Sequence, residues 1–188
     1  MQRKNFGRKG ISVFISHVLA IAILFAILIV VSTQVYSYYY SIKEESQRAQ
    51  AMVLSQRVAD SVLNLYTNYK NSDYEPEEGK NKTLSIVYIN IPEKISGNNY
   101  ILSLEQHGDL WIEGEMENES YSDDERPYTH VKTEIEGKPS ATYNYPIYNI
   151  VSVNVSGSVR RATKIKLSYV REKQSGELKD FLMMERFS

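Results

Sequence analysis

The longest apolar run of the chain covers residues 11–31 and is broken only by Ser12, Ser16 and His17. As an α-helix that rises about 1.5 Å per residue, this run spans roughly 31 Å, which is enough to cross the hydrocarbon core of a bilayer. His17 is the only ionisable residue in the run, and we expect it to stay wet near the membrane face or to meet a neighbouring subunit. The pattern predicts a transmembrane or assembly helix over residues 11–35.

A second helical pattern follows directly, because residues 41–69 contain neither proline nor glycine. Apolar residues recur there at spacings of three and four, while Arg57, Asp60, Asn64 and Asn68 fall on the opposite face. This predicts an amphipathic helix over residues 36–69 that continues the first one. The residues expected to pack against the chain's own outer domain or other copies are Leu54, Val58, Val62, Leu65 and Tyr69.

Residues 70–82 are rich in turn-forming and charged residues, and they predict a linker. Beyond them the pattern changes to a period of two, as in Val151, Val153 and Val155 or in Ile165, Leu167 and Tyr169. Further strands are predicted at residues 83–91, 100–106, 110–117, 129–135, 140–145 and 177–185. The predicted fold class is α+β: a long N-terminal helix followed by an antiparallel β-sandwich over residues 83–188.

Charge around the apolar run predicts its orientation in a membrane. Four basic residues precede the run, no acidic residue does, and the next charged side chain is Lys43. The basic end is therefore expected to stay in the cytoplasm and the rest of the chain to lie outside the cell. The part after the run is net acidic, which gives no support for nucleic-acid binding.

The junction RKGISV at residues 8–13 resembles the leader junction of archaeal type IV pilins and pilin-like proteins, although Val13 stands where that family often has proline. The resemblance implies that residues 1–10 are a leader, recognised through Arg8 and Lys9 and cleaved between Gly10 and Ile11 by a prepilin peptidase. It also implies a structural role as a major or minor subunit of a type IV pilus-like surface filament. Other pilin-like subunits and the membrane would then be the partners, with adhesion as one use.

Two rival functions use the same features. A single-pass membrane anchor could display an extracellular binding module with its N-terminus intact, and an accessory or stator subunit of an archaellum-like motor would carry a similar leader, helix and sandwich. An ectodomain enzyme acting on sugars is the third alternative. It would need a carboxylate pair from Glu113, Glu115 and Glu117, which alternate along one predicted strand.

Little else in the chain points to chemistry. There is no cysteine, no nucleophile-elbow motif and no phosphate-binding loop, and His107 and His130 are isolated in sequence. We therefore expect no enzymatic activity, no cofactor and no metal. Arg160 and Arg161 form a predicted basic turn that could meet an acidic rim on another subunit. Three sequons make Asn81, Asn118 and Asn154 candidate N-glycosylation sites.

Overall fold

One long helix and eight strands make up the described part of the chain. The computed structural model describes residues 6–107, 128–137, 140–148, 150 and 153–187, with residues 6–12 and 107 described by their backbone alone. The helix α1 runs from Phe6 to Tyr69. The strands are β1 (Asn81–Asn90), β2 (Tyr100–His107), β3 (Tyr128–Ile135), β4 (Ala141–Ile147), β5 (Val153–Ser156), β6 (Ser158–Arg160), β7 (Lys164–Gln174) and β8 (Glu177–Arg186).

Helix α1 contains no proline, so nothing in its sequence interrupts the backbone hydrogen bonds. It begins at Phe6, so residues 6–10 of the predicted leader are helical too. It ends at Tyr69, where the sequence predicts the end, and the amide of Lys70 still donates to the Tyr66 carbonyl at 2.8 Å. The chain divides into two compact units, Met1–Glu44 and Glu45–Ser188, and α1 contributes residues to both.

The strands of the second unit form two four-stranded sheets, in the orders β1-β7-β8-β5 and β4-β3-β2-β6. Together with the long apolar helix, they confirm the predicted α+β class. Antiparallel pairing dominates both sheets, as predicted, and one pair departs from it, because β5 pairs with β8 in parallel. All other strand pairs are antiparallel.

Strand β6 was not predicted, because three residues are too few for an alternating pattern to be recognised. It continues directly from β5 after Gly157, yet β5 and β6 belong to different sheets. The chain therefore crosses between the sheets at Gly157, whose carbonyl accepts from the Leu104 amide at 2.8 Å. The predicted strand at 110–117 lies outside the described residues.

The inner faces of both sheets and one face of α1 share a single apolar core. Leu102 and Val131 enter it from one sheet, Ile165 and Leu167 enter it from the other, and all four are at most 1% exposed. Within this core the hydroxyl of Ser55 on α1 lies 2.8 Å from that of Thr133 on β3, so both polar groups are satisfied. The helix from residue 51 onward is thus a core element of the β-rich unit.

The predicted basic turn at Arg160 and Arg161 is corrected by the structure. Arg160 is the last residue of β6, and its Nη2 lies 2.6 Å from Glu136 Oε1 in the same molecule. Its charge therefore already has an intramolecular partner. Arg161 follows with a backbone φ of 51°, in the left-handed region that a non-glycine residue seldom adopts.

Candidate membrane and assembly segment

The N-terminal part of α1 exposes an unbroken apolar surface. Every large apolar side chain in residues 13–35 is more than half exposed, from 51% at Val18 to 70% at Phe14. Within the described residues, α1 is the one helix long and apolar enough to cross a membrane. Exposure of an apolar surface of this size to water is unfavourable, so we expect lipid or protein to cover it.

Polar side chains in this segment find partners on the helix itself. His17 Nδ1 lies 2.9 Å from the Val13 carbonyl oxygen, and a carbonyl only accepts, so Nδ1 carries the hydrogen of this bond. Thr33 Oγ1 donates to the Val30 carbonyl at 2.8 Å. Such local bonds reduce the cost of placing a polar group in hydrocarbon. The structure thus gives His17 a partner on its own helix, which the sequence did not predict.

A cluster of tyrosines follows the apolar segment on the same helix. The hydroxyl of Tyr36 donates to that of Tyr40 at 2.8 Å, and their ring centroids are 4.6 Å apart. Tyr39 meets Tyr40 edge to face, with centroids 6.2 Å apart, while Tyr38 is 71% exposed. Rings with an apolar body and a polar tip suit a boundary between membrane and water.

From residue 45 onward, α1 is fastened to the β-rich unit by polar contacts at several points. Ser46 and Ser96 bring their hydroxyls to 3.0 Å, and Gln50 Oε1 accepts the Ser96 amide at 3.0 Å. Arg57 Nη1 donates to the Asn90 carbonyl at 3.3 Å, at the end of β1. These bonds add polar contacts to the burial of the apolar face of the helix in the core.

The C-terminal end of α1 is held by Arg171, which lies on β7 and is only 4% exposed. The last carbonyls of a helix have no partner within it. The Arg171 guanidinium donates to the carbonyls of Tyr69 at 3.3 Å, Lys70 at 3.0 Å and Tyr74 at 3.1 Å, and also to that of Ser72. One side chain therefore joins the helix end, the following loop and the sheet.

Asp180 on β8 neutralises this buried guanidinium. Its Oδ1 accepts from Arg171 Nε at 2.7 Å, and its Oδ2 accepts from Nη2 at 2.9 Å and from the Tyr169 hydroxyl at 2.6 Å. The bonds to Asp180 raise the pKa of Arg171, and burial together with Asp180 raises the pKa of Tyr169. The sequence carried a signal for this cluster that was missed: Arg171 continues the inward-facing alternation of Ile165, Leu167 and Tyr169, where a charge is unexpected.

The residues singled out from the sequence fall into three groups. The first is buried in the core: Leu54, Val58, Val62 and Leu65 are at most 4% exposed, and Tyr69 packs against the core with its ring centroid 6.1 Å from that of Tyr169. The second group belongs to the junction: Arg8, Lys9, Gly10 and Ile11 lie within the helical backbone of α1. The third group is the sequons. Asn81 is exposed at the start of β1, Asn154 is half-buried in β5, and Asn118 lies outside the described residues.

A cluster around Glu105 brings a serine, a histidine and a lysine close to one carboxylate. Glu105 lies 3.6 Å from His130 and 3.9 Å from Lys132, and it accepts the Ser103 hydroxyl at 2.8 Å. Because Ser103 donates to the carboxylate, its hydroxyl is not directed at the histidine as a nucleophile would be. No group of three or more His, Asp or Glu residues in the described ranges could hold a metal ion.

Comparison with protein family models, with curated proteins and with solved structures finds no match for this chain.

Proposed function

We propose that this chain is a structural subunit of a type IV pilus-like surface filament, assembled through its N-terminal helix after cleavage between Gly10 and Ile11. One observation carries the proposal: α1 is continuous from Phe6 to Tyr69, with an exposed apolar surface over residues 13–35 and a stripe from residue 51 buried in the chain's own core. The globular unit covers that stripe itself. The apolar segment is left to be covered by lipid and then by other copies.

In this proposal the basic leader controls when the helix leaves the membrane. Arg8 and Lys9 lie on the cytoplasmic side, and dragging their charges through hydrocarbon would cost several kcal/mol. Removal of residues 1–10 by a prepilin peptidase abolishes that barrier. Outside the membrane, each large apolar side chain that is buried in a bundle of such helices contributes about 1.5–3 kcal/mol relative to exposure in water, so an extracted helix is stable only when other copies cover it.

A pair of glycine variants tests the proposal in cells that make the full chain. Gly10→Val places a branched side chain at the residue before the cut, whereas Gly7→Val places the same side chain three residues upstream. We expect Gly10→Val protein to keep its leader and to be absent from filaments seen by immunogold electron microscopy. Gly7→Val protein should be cut and incorporated. Filaments that contain uncut Gly10→Val protein would overturn the proposal.

The same experiment separates the filament subunit from a single-pass anchor that displays a binding module. An anchor needs no cleavage, so the unaltered protein would keep its N-terminus and remain in the membrane fraction after shearing. A filament subunit would instead be recovered in the sheared fibre fraction, shortened by the leader. Finding the unaltered chain intact and only in membranes would favour the anchor.

A further inference from the structure

From residue 85 to residue 89, the free edge of β1 lacks the features that usually keep an edge strand from pairing. Edge strands are normally short, or they carry charges or proline that discourage a further strand. Among the described edges, β4 contains Pro146, while β5 and β6 have only four and three residues. Strand β1 has ten residues, and residues 83–90 include neither a charge nor a proline.

The hydrogen bonds at the end of β1 show which backbone groups face outward. The Ile91 amide donates to the Thr163 carbonyl at 2.9 Å, in line with the register that pairs Ile89 with Ile165. Bonding alternates along an antiparallel pair, so the odd-numbered residues from 85 to 89 bond to β7. The N–H and C=O groups of Ile86 and Tyr88 therefore point away from the sheet.

Only the last outward group of β1 has a partner in the described part of the chain. The Asn90 carbonyl accepts from Arg57 Nη1 at 3.3 Å, which closes that end of the edge. At the other end the register shifts between Thr83 and Ser85, so regular pairing stops there too. The open stretch between these limits presents Ile86 and Tyr88, whose side chains are 43% and 47% exposed.

We propose that β1 pairs antiparallel with β1 of a second copy of this chain, about a two-fold axis at Val87. In this register Ile86 of each copy lies opposite Tyr88 of the other, and the outward N–H and C=O groups of both residues are satisfied. A branched aliphatic side chain opposite an aromatic one is a favourable cross-strand pair. Lys82, the only charged residue of β1, lies at the far end of each strand, so no like charges meet.

Self-pairing is favoured over binding of a different protein because the outward N–H and C=O groups of the open stretch can pair with the same groups of a second copy. Its two outward residues are separated by one residue, so a two-fold axis at that residue satisfies both without using the irregular end near Thr83. The contact lies wholly in the unit Glu45–Ser188 and does not rest on the filament proposal. It predicts a dimer whether or not the leader is cut.

Cysteine crosslinking tests the register directly, since the chain has no cysteine of its own. Val87 residues at the axis form a non-hydrogen-bonded pair with Cα atoms about 4.5 Å apart, within the range of a disulfide. Ser85→Cys is the matched control, on the same strand and the same face. In this register its two copies are separated by roughly 13 Å along the strands, too far for a disulfide.

We expect full-length Val87→Cys protein, oxidised in membranes or detergent, to give a disulfide-linked dimer, and Ser85→Cys protein to stay monomeric on non-reducing gels. Crosslinking of both variants to the same extent, crosslinking of Ser85→Cys alone, or crosslinking of neither would overturn the proposal. The result should be unchanged in the Gly10→Val background. A crosslink that persists there separates the β1 contact from filament assembly.

A second substitution checks that the free edge itself makes the contact. Ile86→Pro removes an outward N–H without breaking a bond to β7, and Ile86→Lys places a charge beside the partner's strand. In the Val87→Cys background, both should abolish the dimer, with thermal unfolding measured to verify that each variant is folded. A dimer that survives in a folded Ile86→Lys protein would contradict pairing at this edge.

Discussion

At the scale of single residues, Arg171 is a buried charge that supplies hydrogen bonds to carbonyl groups that water would otherwise supply. The guanidinium satisfies carbonyls at the end of α1, and Asp180 balances its charge at 2.7 Å. An ion pair of this kind is costly to break because the partner left behind is buried without a counter-charge. The stability of the helix attachment should therefore depend strongly on this side chain.

Arg171→Leu should lower the free energy of unfolding by about 3–5 kcal/mol, because it leaves both Asp180 and the helix carbonyls buried without their partner. Arg171→Lys should recover only part of this loss, because an ammonium group lacks the planar fork that reaches both Asp180 and the loop. Lys166→Ala is the control: its pair with Glu185 is partly exposed, and we expect a loss of at most about 1 kcal/mol. Denaturant unfolding measures all three. Equal losses of unfolding free energy in Arg171→Leu and Lys166→Ala would show that Arg171 does not hold the helix end.

Tyr100 gives the protein a predictable sensitivity to alkaline pH. Burial raises the pKa of Tyr100 to about 12, and its hydroxyl donates to the Pro92 carbonyl at 2.5 Å. In the unfolded chain this phenol ionises near pH 10, whereas in the folded protein it is still neutral there. The contribution of Tyr100 to the free energy of unfolding is therefore fully present below about pH 10 and is lost as the pH rises toward 12. The expected slope from this residue is about 1.4 kcal/mol per pH unit.

Tyr100→Phe removes this titration while keeping the ring in the core. At neutral pH the variant should be less stable by about 1 kcal/mol for the lost hydrogen bond. Because the unaltered protein loses more than this between pH 10 and 12, the difference in unfolding free energy should shrink above pH 10 and then reverse in favour of the variant before pH 12. Urea unfolding at several pH values measures that difference. Two stability curves that stay parallel from pH 8 to 12 would show that Tyr100 does not titrate as described.

The sequons differ in accessibility, and this gives a prediction for glycosylation. Asn81, Lys82 and Thr83 are all exposed, whereas Asn154 is half-buried between Val153 and Val155 of the core. In a host that attaches N-linked sugars, we propose that Asn81 is modified and Asn154 stays bare. Mass spectrometry of peptides from the native protein should find the sugar on Asn81, and Asn81→Gln but not Asn154→Gln should remove it. A sugar on Asn154 would contradict this order.

At the scale of elements, periodicity predicted those features that depend on local pattern. The stripe from Ala51 to Tyr69 at helical spacing lies on the buried face of α1, and the alternation around Ile165 became β7. Pairing partners are not encoded in a local period, so the parallel match of β5 with β8 was missed. The Arg171 cluster was missed for a related reason, since the carbonyls that accept from its guanidinium come from a segment about 100 residues earlier in the chain.

The crossover at Gly157 is the element-scale feature most sensitive to substitution. Its φ is 145°, and an added Cβ would lie 2.2 Å from the Met184 carbonyl oxygen and 2.8 Å from the Met184 Cβ. Gly157→Ala must therefore push β5 and β6 away from β8, and we expect a destabilisation of about 3 kcal/mol or more, or failure to fold.

Gly176→Ala is the matched control for Gly157→Ala. Gly176 also has a positive φ, 82°, but nothing lies within 4 Å of an added Cβ. The substitution should cost only the backbone strain of about 1 kcal/mol. Thermal unfolding compares the two variants. If Gly176→Ala proves as damaging as Gly157→Ala, close packing at the crossover is not the reason for the glycine.

At the scale of the whole molecule, the chain combines a β-rich unit that has its own apolar core with a helical segment whose large apolar side chains are exposed. The sequence predicted a long apolar helix followed by a β-rich region, because an uninterrupted apolar run and a period-two region can be recognised without tertiary information. It did not predict that the backbone of α1 continues helical through Gly10 to Phe6. A peptidase that cuts after Gly10 would therefore have to unwind the first turns of α1 or bind the chain before they form.

The first residue of this protein in purified surface fibres distinguishes a cleaved filament subunit from an uncut membrane anchor. Fibres sheared from cells that make the full chain can be purified, and the first residues of this subunit can be read by mass spectrometry. We predict a chain that begins at Ile11, free of residues 1–10, as an integral component of the fibres. A chain that retains Arg8 and Lys9 and occurs only in the membrane would contradict it.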